Sequence, residues 1–146
     1  MRYQYCIVVC LAAVTTVLPG CGSGHIPVEP TSGKLTINGS PAVGAIVGLH
    51  PVSGDFDERG TRPAGQVKQD GTFEFSTYGT GDGVPVGEYI VTINWPQNPA
   101  GPDPGEDRLQ GKYLQPAKSP LRITVKEGGN TLDPIALEGE KVLKGA

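Results

Sequence analysis

The chain has 146 residues, of which 22 are glycine and 14 are proline, and its formal net charge is −3. This share of glycine and proline is about twice the average. It excludes a helical bundle or a coiled coil, because both residues are costly inside helices. Apolar residues still make up 37 % of the chain and fall in patterned runs, so the composition does not predict disorder. The length predicts one folded domain.

The first 20 residues have the pattern of an export signal. Arg2 precedes a run over residues 7–18 that is apolar except for Thr15 and Thr16. A positive start followed by an apolar run of this length is typical of a signal peptide. The run is too short for an ordinary membrane-spanning helix, which needs about 20 apolar residues. We therefore interpret residues 1–20 as a signal peptide; a short buried core segment is the alternative.

The end of this segment, LPGC at residues 18–21, resembles the lipobox of bacterial lipoproteins, with Pro19 where a small residue is usual. In that family the cysteine receives a diacylglycerol, the signal is cut before it, and the new N-terminus is acylated. The resemblance implies a lipid on Cys21 and a cell-envelope protein anchored to a membrane after export. Cys6 and Cys10 would leave with the signal, so the mature chain could not close an internal disulfide. Ordinary signal cleavage that leaves Cys21 as a free thiol is the alternative.

The remainder of the chain divides by its periodicity. Residues 21–32 have no repeating pattern and contain Pro27 and Pro30, which predicts a flexible tether. The folded domain is predicted over residues 33–138, and residues 139–146 are predicted to be a C-terminal tail. Without Arg2 the chain is slightly more acidic, which argues against nucleic acid as a partner.

Seven short runs in the domain alternate apolar and polar residues, a period that places the apolar set on one face of a strand. These sets are Leu35 and Ile37; Ala45, Val47 and Leu49; Val67; Phe73 and Phe75; Tyr89, Val91, Ile93 and Trp95; Leu121, Ile123 and Val125; and Ile135 and Leu137. Asn38-Gly39 and Asp70-Gly71 are typical of tight hairpin turns. The pattern predicts an all-β fold, a β-sandwich of about seven antiparallel strands.

Several segments of the domain resemble carboxypeptidase regulatory-like domains. They are GKLT at 33–36, NGSPAVGAIV at 38–47, QDGTF at 69–73 and PVGEYIV at 85–91. The resemblance covers residues 33–137 and implies a transthyretin-like, Ig-like seven-stranded sandwich. DRLQGKY at 107–113 and SPL at 119–121 look typical of small bacterial lipoproteins of unknown function. What the resemblance implies is a structural or interaction module with a protein partner at the cell envelope.

The residues that carry chemistry do not form a catalytic pattern. His25 and His50 are the only histidines, one in the predicted tether and one at a strand end beside Pro51. A zinc site needs three or four ligands. No serine lies in a Gly-x-Ser-x-Gly elbow. We therefore expect a protein that is not an enzyme and that has no catalytic residues and no cofactor.

Two loops, residues 51–63 and 96–106, supply the alternative function, which is carbohydrate or calcium binding. We predict no metal site, and the nearest candidates for ligands to Ca²⁺ are Asp55, Asp57 and Asp82, which offer hard oxygen ligands. Solvated loops are the other interpretation, because neither acidic segment matches the Asp-x-Asp-x-Asp-Gly loop. An exposed aromatic platform would favour sugar binding, whereas an exposed strand edge or apolar patch would favour a protein partner. We expect Trp95 to belong to the core.

Overall fold

The computed structural model describes residues 24–145, which contain nine strands and no helix. The strands are β1 (Thr31–Ile37), β2 (Ser40–Pro41), β3 (Ile46–Pro51), β4 (Ala64–Gln66), β5 (Thr72–Glu74), β6 (Gly87–Asn94), β7 (Arg122–Val125), β8 (Asn130–Thr131) and β9 (Ile135–Leu137). The predicted all-β fold is confirmed. Each of the seven predicted runs contains or adjoins a strand, and the two-residue strands β2 and β8 raise the count to nine.

The first sheet is built around β1, which pairs antiparallel with β2 and β5 and parallel with β8 and β9. The prediction of antiparallel strands throughout is therefore wrong for the last two. After β7 the chain crosses to this sheet near the start of β1, where the Asn130 N–H donates to the Pro30 carbonyl at 2.7 Å. It then runs in the same direction as β1. A period of two occurs in both parallel and antiparallel strands, so the pattern does not encode this direction.

The second sheet has the order β4-β3-β6-β7. Its longest strand, β6, pairs antiparallel with β3 from Ile46 opposite Asn94 to Pro51 opposite Tyr89. Strand β7 pairs with the other side of β6 and forms one edge of the sheet. At the other edge the backbones of Ala64 and Ser76 exchange two hydrogen bonds of 3.1 and 2.9 Å, which join this sheet to the chain after β5.

Apolar side chains from both sheets meet in one core, which includes most of the side chains predicted to face inward. Phe73 and Phe75 pack edge to face with ring centroids 5.2 Å apart. The phenol of Tyr89 is also buried and donates to the Pro85 carbonyl at 2.7 Å. Burial raises the pKa of Tyr89 to about 12, so the hydroxyl keeps its proton and its hydrogen bond at neutral pH.

The predicted turn pairs adopt the expected backbone. Asn38 and Gly39 both have positive φ angles, 51° and 76°, and they connect β1 to β2 in a two-residue hairpin. The side chain of Asp70 accepts hydrogen bonds from the N–H and hydroxyl of Thr72, which is the local turn role expected for it. Both turns therefore form from the conformational preferences of their own residues.

The strand ends define two ends of the molecule. The tether end consists of residues 24–30, 51–62, 77–88 and 126–129, and the strap end consists of residues 38–44, 94–118 and the C-terminal strap at 138–145. Strand β1 begins at Thr31, two residues inside the predicted tether, and Glu29 pairs with Val84. Within residues 24–145, no helix is long and apolar enough to cross a membrane.

Candidate functional site

At the tether end, Asp82 closes the loop that follows β5. Its Oδ1 accepts the Thr77 N–H at 2.7 Å, and its Oδ2 accepts the N–H groups of Tyr78 and Gly79 at 3.0 and 2.8 Å. Burial raises the pKa of Asp82, but the three backbone hydrogen bonds stabilise the carboxylate and lower its pKa overall. The carboxylate therefore stays charged and holds the loop in shape.

Asp57 has the same role in the other acidic loop. Its Oδ1 accepts the N–H of Thr61 at 2.9 Å and of Arg59 at 3.2 Å, and its Oδ2 accepts the hydroxyl of Tyr78 at 3.3 Å. Hydrogen bonds lower the pKa of Asp57; those from Thr61 contribute most, and those from Tyr78 and Arg59 contribute less. Asp55 forms an exposed ion pair with Arg62.

The structure brings two of the three candidate carboxylates to one residue but not to one metal site. Asp57 and Asp82 both bind Tyr78, one at its hydroxyl and the other at its backbone N–H, while Asp55 faces Arg62. Within the described part of the chain, no group of three or more His, Cys, Asp or Glu side chains is placed to hold a metal ion. The acidic loops use their carboxylates to fix their own backbone.

The two histidines have different surroundings. The ring of His25 stacks on Tyr78 with centroids 4.0 Å apart and planes 6° apart, which holds the chain against the tether end. His50 lies in β3, with Nε2 3.2 Å from the hydroxyl oxygen of Thr92. Burial, with a smaller contribution from the charge of Arg62, lowers the pKa of His50. The imidazole of His50 is therefore neutral at pH 7 and serves as a partner for Thr92.

At the strap end, the aromatic residues nearest the second loop are buried. Trp95 is 7 % exposed and Tyr113 is 5 % exposed. The indole N–H of Trp95 donates to the Val43 carbonyl at 3.0 Å, and the guanidinium of Arg108 lies 3.9 Å from its ring centroid. The prediction that Trp95 belongs to the core is confirmed. Neither ring forms the exposed platform that the carbohydrate alternative needs.

The proline-rich loop at 96–106 folds back on itself. The N–H of Gln97 donates to the Glu106 carbonyl at 3.1 Å, and the N–H of Asn98 donates to the Pro104 carbonyl at 3.0 Å. Asp107 fixes the base of the loop by accepting the N–H groups of Trp95 and Gly111 at 2.8 and 2.7 Å. The prolines fix φ but leave these pairings possible, because the donors belong to other residues.

The C-terminal strap carries a charged contact that sequence reasoning missed. The Glu140 side chain is 7 % exposed, and Oε1 accepts both the Lys112 ammonium and the Tyr113 hydroxyl at 2.7 Å. Hydrogen bonds from Lys112 and then Tyr113 lower the pKa of Glu140, while burial is the main cause that raises the pKa of Tyr113. Glu140 thus holds the strap against the loop that precedes β7.

The backbone of the strap is held as well. Its carbonyl oxygens accept side-chain donors at four positions: Glu140 from Asn38 at 2.8 Å, Lys141 from Gln110 at 3.3 Å, Leu143 from Arg108 at 2.8 Å and Lys144 from Gln97 at 3.1 Å. Val142 packs against the core. In the sequence, the apolar pair Val142-Leu143 is the one feature that favours packing of the strap against the domain.

A groove of about 640 Å³ runs beside the edge strand β7. It is lined by residues 121–124, 126 and 130–137, so it lies between β7 in one sheet and β8 and β9 in the other. Ile123 and Ile135 are half-buried along it. An edge strand beside a partly apolar groove is the type of surface on which a second chain adds a strand.

The predicted signal peptide and Cys21 lie outside the described residues. The chain has no significant match to a protein-family model, a curated protein or a solved structure.

Proposed function

We propose that the protein is a non-catalytic, lipid-anchored interaction module of the bacterial cell envelope, with a fold of the carboxypeptidase regulatory-like type. The lipobox-like LPGC segment supports the anchor. The first paired residue of the domain, Glu29, follows Cys21 by only eight positions, so the lipid and the domain are closely coupled.

The proposed role as an interaction module rests on the exposed edge of β7 beside its groove. An edge strand presents unpaired backbone N–H and C=O groups, which a partner strand can pair with. The carboxylates that offer acid–base or metal chemistry are instead occupied with holding backbone or tying down the strap, as Asp57, Asp82, Asp107 and Glu140 illustrate. These features support binding of a protein chain over catalysis.

The anchor is tested by replacing Cys21 with serine in the full chain expressed in a bacterium. Cys21→Ser should move the protein from the membrane fraction to the soluble fraction, because acyl chains supply most of the membrane affinity. Cys10→Ser is the matched control, since this cysteine belongs to the predicted signal, and it should leave the fractionation unchanged. Membrane partitioning that is the same for Cys21→Ser and the unmodified chain would refute the anchor.

The interaction surface is tested with a photo-crosslinking residue at Thr124, on the outer edge strand β7. The control position is Gln66 on β4, an exposed residue at the opposite edge of the same sheet. Crosslinking in intact cells should give a discrete adduct from position 124 and none from position 66. No adduct from position 124 would argue against an interaction through β7.

A further inference from the structure

The tether end carries two exposed apolar side chains that no contact within the described chain explains. Val52 is 52 % exposed and Val86 is 54 % exposed, and they are two of the four large apolar side chains left exposed in residues 24–145. Their segments adjoin, since the Val52 N–H donates to the Glu88 carbonyl at 2.9 Å. The two valines therefore belong to one small surface at the outer end of β3 and β6.

The chain leaves the domain at this same surface. The backbones of Glu29 and Val84 exchange two hydrogen bonds of 2.8 and 2.9 Å, two residues before Val86. His25 then stacks on Tyr78, so the chain is held to the tether end as far back as residue 25. Because these contacts fix the chain from residue 25 onward, the segment before residue 25 joins the domain at a fixed place on the tether end.

Covalent reach limits how far Cys21 is from this surface. His25 follows Cys21 by four positions, a distance of at most about 14 Å when the chain is fully extended. The seven residues of β1 lead from the tether end toward the strap end over about 23 Å. A lipid on Cys21 that is inserted in a bilayer therefore brings the tether end to the lipid headgroups and keeps the strap end away from them.

We propose that the tether end is a membrane-docking surface, with Val52 and Val86 in contact with the headgroup region of an electrically neutral bilayer. This inference rests on the lipid anchor proposed above. Two half-exposed valines bind lipid weakly by themselves, but the anchor keeps them at a high effective concentration at the surface. Their role is to orient the domain, so that the strap end is held away from the bilayer.

Charge determines which bilayer this surface fits. The charged residues of the tether end are seven acidic ones, Glu29, Asp55, Asp57, Glu58, Asp82, Glu88 and Glu127, and three basic ones, Arg59, Arg62 and Lys126; His25 also lies there. An acidic surface is repelled by anionic headgroups, and salt screens this repulsion. We therefore expect docking on phosphatidylcholine to be stronger than on vesicles that contain phosphatidylglycerol.

The test measures amide hydrogen exchange of the lipidated full-length product, purified from bacterial membranes and reconstituted in phosphatidylcholine vesicles. The reference is the Cys21→Ser chain free in solution. Exchange in residues 52–58 and 84–88 should slow by roughly threefold or more on the vesicles, while exchange in residues 110–118 should not change. Replacing about a third of the lipid with phosphatidylglycerol should reduce this protection.

Two variants separate docking from anchoring. The double variant Val52→Asp/Val86→Asp should stay on the vesicles and lose the protection. Leu114→Asp is the matched control: it changes an apolar side chain that is 45 % exposed at the strap end, and it should keep the protection.

The outcomes distinguish this inference from the anchor. A lipidated protein that stays on vesicles with no slowing at 52–58 and 84–88, or with slowing at 110–118 instead, overturns the docking surface and leaves the anchor intact. Mass spectrometry that finds no lipid on Cys21 overturns the anchor and the docking surface together.

Discussion

The two ends of the molecule use carboxylates in opposite ways. At the tether end, Asp82 binds N–H groups three to five residues away and Asp57 binds N–H groups two and four residues away. At the strap end, Glu140 binds side chains 27 and 28 residues away, and its backbone binds Asn38 across 102 residues. The backbone hydrogen bonds of Asp82 and Asp57 therefore fix turns within their own loops, whereas the carboxylate of Glu140 joins distant segments.

The largest effect is expected from Gly83→Ala at the tether end. Gly83 has a φ of +108°, and an added Cβ would lie 2.0 Å from the Glu29 carbonyl oxygen. The Glu29–Val84 pairing must break or shift, so we expect a loss of about 3 kcal/mol or more in the free energy of unfolding. Gly81→Ala is the control, because Gly81 also has positive φ but open space around it, and about 1 kcal/mol is expected. Equal losses in urea unfolding would contradict the role of this contact.

At the strap end, Glu140→Gln should lower the free energy of unfolding by about 2 kcal/mol, because it weakens two charge-assisted hydrogen bonds to a side chain that is almost fully covered. Replacing the exposed partner, Lys112→Met, should cost less, since Tyr113 still binds the carboxylate. Exchange of the amides in residues 138–145 should quicken in the Glu140→Gln variant. Unchanged exchange there would show that Glu140 does not hold the strap.

Asp82→Ala should cost about 1–2 kcal/mol, because three backbone N–H groups lose their acceptor together. Asp55→Ala removes only an exposed ion pair with Arg62 and should cost less than about 1 kcal/mol. Thermal unfolding of both variants measures the difference. If Asp55→Ala were the more damaging change, the exposed ion pair would contribute more to stability than the three backbone hydrogen bonds that Asp82 accepts.

The smallest effect is a dependence on pH at the strap end. The folded-state pKa of Glu140 lies below its ordinary value of 4.5. Its contribution to stability is therefore fully present above pH 4.5 and is lost as the pH falls through the lowered pKa. Between pH 6 and pH 3 the Tm of the unmodified chain should fall further than that of Glu140→Gln, since an amide does not titrate. Parallel Tm curves for the two proteins would contradict this.

The comparison of the two ends also explains how far the sequence alone predicts the structure. The alternation from Tyr89 to Trp95 predicts the buried face of β6, and Asn38-Gly39 predicts its hairpin, because both depend only on neighbouring residues. The direction of β9 was predicted wrongly and the contact of Glu140 was missed. Both depend on segments that are adjacent only in the folded chain.

The same distinction holds for the candidate site. The sequence offers Asp55, Asp57 and Asp82 as oxygen ligands. The turn roles of Asp57 and Asp82 follow from the preference of Asp for nearby backbone N–H groups, whereas Asp55 pairs with Arg62. The cluster of Val52 and Val86 had no sequence signal, since isolated valines are common in strands. Only the hydrogen bond from Val52 to Glu88 places the two on one surface.

The parallel pairing of β1 with β9 has a consequence for folding kinetics. Leu35 lies opposite Ile135, so closing this ladder joins residues one hundred positions apart. The entropy of closing so long a loop must be met before the pairing gives any stabilisation. The first sheet is therefore incomplete until residue 137 has been synthesised, and we expect folding on the order of milliseconds to seconds, as in other proteins of high contact order.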